Sequence, residues 1–152
     1  MSTGRTIRPA KPSEHAVLEE LQTRASLAYE DYREALLANP DAIQIPLKQI
    51  TDGLAFVCDQ GNEILGFAVA LPRDDGDFEL DGLFVEPHLW RSGIGTALLH
   101  EAERRALLGG AAALHVVANP RAEGFYQVRG FEIRGRQQTR FGPAHLMAKA
   151  LR

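Results

Sequence analysis

The sequence predicts an α+β fold built on one mixed, mostly antiparallel sheet, in a single domain over residues 1–152. Three observations carry this. A chain of 152 residues is the length of one ordinary domain, and 45% hydrophobic with 24% charged residues is the balance of a soluble globular protein with a sizeable core. Strand-like runs between residues 53 and 87 are separated by turns short enough for antiparallel hairpins. A strand, a helix and a strand then follow in succession, a crossover that implies a parallel pair.

Taken in order, "TIRPAK" is the first strand candidate, and Pro12-Ser13 opens a helix whose Val17, Leu18, Leu21 and Ala25 are spaced to line one face. Tyr29, Tyr32 and Leu36 continue in a second short helix that stops at Asn39-Pro40. "GLAFVCD", "EILGFAVALP" and "FELDGLFVEP" read as three strands, joined by turns at Gln60-Gly61-Asn62 and Asp74-Asp75-Gly76-Asp77. The next helix, from Gly95, should bury Ile94, Leu98, Ala102 and Ala106, turn Thr96, His100, Glu103 and Arg104 to water, and end at Gly109-Gly110. "AALHVVAN" reads as a buried strand, "RAEGFYQVR" as a short helix, and "FEIRGR" and "AHLMAKAL" as the last strands.

Composition removes several function classes. A net charge of −3 with interspersed signs gives no general attraction to nucleic acid or an anionic membrane, so any bound anion must be held locally. No apolar run approaches the length of a membrane span, and the start, "MSTGRTIRPAKPSEH", lacks the apolar core of a signal peptide. A lone Cys58 makes no internal disulfide, which fits a reducing cytoplasm. His88, His100, His115 and His145 are scattered, read as core or surface residues, and no metal site is expected.

The stretch "EPHLWRSGIGTALLHEAERRALLGG" places Gly93-Ile94-Gly95 at a helix start. Glycine lets a ligand approach the backbone, and the first turn of a helix offers unbonded N–H groups and partial positive charge, the makings of a phosphate site. Glycines in such a place also serve as turn punctuation. A dinucleotide-binding fold would put its glycine-rich turn in the first strand–helix unit, whereas here it comes at residue 93.

Three stretches carry a resemblance: "LDGLFVEP" leading into "WRSGIGTALL", then "NPRAEGFYQVRGF", then "HLMAKAL". From about residue 54 to the end the chain resembles the GNAT superfamily of N-acyltransferases, and the preceding element order agrees. The resemblance implies a single acetyltransferase domain, helices on both faces of the sheet, splayed central strands, and acetyl-CoA as co-substrate. It aligns Gly93 and Gly95 with the family's pyrophosphate loop. Trp90 stands in place of the usual Gln or Arg, and Arg91 where a further glycine is common. The backbone of Ser92, Gly93, Ile94, Gly95 and Thr96, with Arg91 beside it, would hold the coenzyme A diphosphate.

The alternation in "LDGLFVEP" changes phase at Gly82, which suggests a bulge, and the resemblance implies that the pantetheine arm lies along Leu83, Phe84 and Val85, bonded to backbone as though it were a strand. Asn119 matches the asparagine that bonds this arm, and reads equally as a helix cap. Neutralising an ammonium acceptor needs a base, for which Asp81 is the first candidate and Glu79 the second; both carboxylates also suit a solvated strand face. Tyr126 matches the tyrosine read as general acid for the departing thiolate. It lies about 100° around the helix from Phe125, so that one ring fills the core while the other faces the cleft. Tyr29, Glu30 and Tyr32, with Glu34, lie in the region that borders the acceptor in the family.

The expectation is therefore an N-acetyltransferase moving an acetyl group from acetyl-CoA to a small-molecule or peptide amine, by direct attack in a ternary complex. Cys58 sits in a strand-like run with no partnered base, which disfavours an acyl-enzyme. A catalytically silent acyl-CoA-binding regulatory module is the reading from another class. Homodimers are common in the family, and the sequence marks no interface.

Overall fold

The computed structural model describes residues 4–39, 41–139 and 142–152, apart from the side chains of 30–32. Pro40, expected to stop the second helix, and the side chains of Glu30 and Tyr32 thus lie outside the described residues. The elements are β1 Thr6–Pro9, α1 His15–Leu27, α2 Glu30–Ala38, α3 Leu47–Thr51, β2 Ala55–Gln60, β3 Glu63–Pro72 and β4 Phe78–Val85, followed by α4 Ile94–Leu108, β5 Ala113–Ala118, α5 Glu123–Val128, β6 Glu132–Thr139 and β7 Gly142–Ala150. Among the described residues the strands form one seven-stranded sheet in the order β1-β2-β3-β4-β5-β7-β6. β4 and β5 are parallel, as a helical crossover requires, while β1–β2, β2–β3, β5–β7 and β6–β7 are antiparallel. No helix among the described residues is long and apolar enough to cross a membrane.

Expectations about the first helices need correction. The short helix α3 went unpredicted, because "LKQIT" is too brief for an apolar period; it is seated by Ile50, which is 3% exposed. Val17 was placed on the buried face of α1, yet it is 43% exposed, and the buried residues are Leu18, Leu21 and Ala25.

The chain divides into two compact units, residues 1–69 with 82–101 and residues 70–81 with 102–152. In the first, Leu18, Leu21, Phe56, Phe67, Ile94, Leu98 and Leu99 are fully buried, and the Phe67 and Phe84 rings meet at 5.4 Å. Arg8 on β1 binds Asp59 at 2.6 Å and both oxygens of Glu14 at 3.0 and 2.7 Å, while Glu14 also accepts the Lys11 N–H. The Arg8 guanidinium holds the Glu14 carboxyl below its ordinary range.

Gly66 on β3 sits where a Cβ would lie 2.8 Å from the Phe84 carbonyl oxygen and 3.2 Å from Ile94 and Leu98 side-chain carbons. Only a residue without a side chain lets β3, the end of β4 and the start of α4 close to this distance.

The second unit packs Leu114, Val116 and Ala118 of β5 with Met147 and Ala148 of β7, in a register that sets Val116 opposite Met147. Lys149 of β7 reaches the Glu103 carboxylate of α4 at 3.1 and 3.2 Å, so Glu103, expected in water, is half-buried in an ion pair.

Candidate active site

In the first unit β4 delivers Leu83, Phe84 and Val85 toward the loop before α4. Leu83 and Phe84 are half-buried and Val85 is buried. The Ala97 N–H donates to the Gly93 carbonyl at 3.0 Å, the first i→i−4 bond of the helix, so the N–H groups from Gly93 to Thr96 precede the helical ladder. Gly93 has φ 88°, and a Cβ there would meet nothing within 4 Å. The backbone at Gly93 is thus open to approach.

The loop is held from behind. The Ser92 hydroxyl donates to the Leu89 carbonyl, and Arg5 Nη1 donates to the Ser92 carbonyl at 2.8 Å. Arg91 is exposed with φ 68°, so the position where a family glycine is common does require a left-handed backbone. The Trp90 indole N–H donates to the Val85 carbonyl at 2.9 Å, and its ring stacks on Tyr29 at 5.2 Å. Arg24 of α1 grips both oxygens of Glu86 at 3.0 and 2.7 Å, which ties the helix to the end of β4.

The second unit carries the candidate acid–base groups. Asp81 is exposed and Glu79 half-buried, the latter in register with His115. Ahead of them, both oxygens of Asp77 are engaged: one accepts the Ala112 and Ala113 N–H groups at 3.1 Å each, the other meets His115 Nε2 at 2.8 Å. The bond to His115 is the largest influence holding the Asp77 carboxyl below its ordinary range. Asp75, Asp77 and His115 place potential metal-ligating atoms within 4.8 Å of one another. Each already serves the protein, since Asp75 accepts the Asp77 N–H at 3.0 Å and Arg73 at 2.9 Å. The cluster is accounted for as a clamp between the β3–β4 turn and β5. His145 likewise pairs with Glu123 of α5. His115 and His145 are therefore half-buried and paired with carboxylates.

Asn119 accepts the Arg121 and Ala122 N–H groups at 2.9 and 3.0 Å through its side-chain oxygen, so it caps the turn into α5. On α5 the two aromatic rings differ in burial. Tyr126 is the buried ring at 6% exposure, edge-on to Phe125 at 5.2 Å and to Phe131 at 5.3 Å. Phe125 is half-buried under the Arg129 guanidinium, 3.9 Å from its ring centre, and Val128 is 83% exposed. Phe131, beyond the helix, supplies the core contact that selects Tyr126.

The structure thus gathers Leu83–Val85, the loop 91–96 and Tyr29 in one unit, and Glu79, Asp81, Asn119 and Tyr126 in the other. Sequence reasoning missed Gly66, whose signal was a glycine inside a strand, and Arg5, which had none.

The model of the acetyltransferase (GNAT) family matches residues 16–131. The chain belongs to this family. The GNAT match begins ahead of the stretches that carry the resemblance, and so takes in α1 and α2 as well. An uncharacterized N-acetyltransferase of Mycobacterium tuberculosis (strain H37Rv) is 34% identical over 85 residues, 54% of each chain, so the chain spans about half the length of this relative. The PaiA N-acetyltransferase of Thermoplasma acidophilum, solved in complex with coenzyme A, has a TM-score of 0.80 at 20% identity, covering 97% of this chain and 99% of that one. The ribosomal-protein-S18-alanine N-acetyltransferase of Escherichia coli has a TM-score of 0.72 at 21% identity, over 97% and 94%. These likenesses show a shared GNAT fold.

Proposed function

We propose that the chain is a single acetyltransferase domain that moves an acetyl group from acetyl-CoA to an amine by direct attack. The observation that carries this is the start of α4, open at Gly93, in the stretch that resembles the GNAT pyrophosphate loop. The N–H groups of Gly93 to Thr96 take the diphosphate, with Arg91 as the adjacent cation. The backbone of Leu83 to Val85 takes the pantetheine arm. The Asn119 oxygen is committed to its cap, so this residue serves the arm through its amide nitrogen.

The amine nitrogen forms the new C–N bond at the thioester carbonyl as the C–S bond breaks. Asp81, with Glu79 in reserve, takes the proton that the ammonium acceptor must shed, directly or through water. Tyr126 serves the departing thiolate. A phenol near ~10 giving its proton to a thiol near ~8.5 is uphill by about 2 kcal/mol in water, so a strong hydrogen bond to sulfur suffices for a benefit. Glu79 and Asp81 alternate along β4, which supports a cationic acceptor. Tyr29, Glu30 and Tyr32 are proposed to border that acceptor. Cys58 is buried and its thiol is pushed up by burial, which supports direct attack over an acyl-cysteine route, and a single cysteine in the sequence suits a cytoplasmic setting.

Tyr126→Phe keeps the ring contacts and removes the hydroxyl. The expected result is a kcat loss of roughly tenfold to a thousandfold with unchanged acetyl-CoA affinity by calorimetry. A variant as fast as the parent under rate-limiting chemistry would make Tyr126 a structural residue.

A further inference from the structure

We infer that Arg5, which the proposed chemistry does not use, is a positioning residue for the diphosphate site: it fixes the Ser92–Gly93 peptide so that the Gly93 N–H is presented to the ligand. This rests on the proposed phosphate role of the loop. Arg5 Nη1 donates to the Ser92 carbonyl at 2.8 Å, and the described chain has no cis peptide. In a trans peptide the C=O and the following N–H point in opposite directions. A cation bound to the Ser92 carbonyl therefore aims the Gly93 N–H away from itself.

The peptide needs such a hold. It lies between Arg91 at φ 68° and Gly93 at φ 88°, and a glycine, which takes positive and negative φ about equally well, leaves the orientation of the peptide before it weakly fixed. One flip would point the Ser92 carbonyl oxygen, a negative dipole end, at a phosphate. The Ser92 hydroxyl bond to Leu89 steadies the side chain, while the carbonyl is held by Arg5 alone among the bonds described. Arg5 itself is well based, one residue before β1, whose first residue Thr6 is paired with Asp59. A charged donor on the carbonyl also polarises the peptide, which makes its N–H a stronger donor. Arg91 supplies a cation within the loop, and Arg5 adds a second positive charge to it from a different part of the chain.

Calorimetry with coenzyme A on the full chain tests this, using Arg5→Ala, Arg5→Lys and, for the site itself, Gly93→Ala. Arg5→Ala should weaken binding roughly threefold to thirtyfold, and Arg5→Lys should recover part of the loss, since it restores a charged donor. Turnover of S-acetylpantetheine, which has no diphosphate, should stay within about twofold of the parent in Arg5→Ala. Coenzyme A affinity within about twofold of the parent, or an equal loss with S-acetylpantetheine, would overturn the role of Arg5. If Gly93→Ala weakens binding while Arg5→Ala does not, only this inference fails. Unchanged affinity in both variants would remove the diphosphate site and the inference together.

Discussion

Arg91 stands at φ 68°, a left-handed backbone that costs an L residue about 1–2 kcal/mol. A loop that keeps arginine there gains something from the side chain or simply tolerates the strain, and Arg91→Gly separates the two. Relief of strain should raise stability to urea by about 1 kcal/mol, less the extra chain entropy of glycine. Loss of the cation should at the same time weaken coenzyme A binding about threefold to tenfold by calorimetry. A stabilised variant with full affinity would show that Arg91 is a solvated loop residue. At this scale the sequence was legible where chemistry is local. Gly93 and Gly95 announce a helix start stripped of side chains, and a glycine expected at position 91 foretells the left-handed turn. Arg5 was illegible because its partner Ser92 lies 87 residues away, and no short-range pattern encodes such a pairing. Which of Phe125 and Tyr126 is buried was equally hidden, since Phe131, which packs on Tyr126, follows the helix and lies outside its period.

Among the elements, β3 and β4 set the site through one glycine. An alanine at Gly66 would put its Cβ 2.8 Å from the Phe84 carbonyl oxygen, a backbone atom that moves only if β4 moves. Gly66→Ala should therefore cost about 1–3 kcal/mol in urea unfolding and also weaken coenzyme A binding, because Phe84 and Ile94 border the proposed arm and phosphate sites. Loss of stability with intact affinity would show that β4 absorbs the strain without altering the site. β3 matched its predicted span, residue for residue, because turn residues bracket a long apolar run. α3 escaped notice because a helix of five residues is specified by packing, with too few turns to show a period. Val17 fits the spacing of the α1 stripe in sequence and yet stays exposed, as a residue at the margin of a helical face often does.

For the whole molecule, chain connectivity was the most readable property. Short turns predicted the hairpins, and the crossover through α4 predicted the parallel β4–β5 pair. Long-range ion pairs were not readable: Arg8 with Asp59, Arg24 with Glu86, and His115 with Asp77 all join residues that no periodic pattern links. The GNAT match over residues 16–131 spans sequence from both compact units. The central claim is acetyl transfer to an amine without an acyl-enzyme. Its most direct test is steady-state kinetics of the whole chain with acetyl-CoA and a panel of polyamines, amino drugs and peptide N-termini, following thiol release together with mass spectrometry of acceptor and protein. The account predicts one thiol released per acetyl group gained by the amine, and intersecting lines when both substrates are varied. Parallel lines with an acetyl group on Cys58, or thiol release with no acetylated amine, would contradict it.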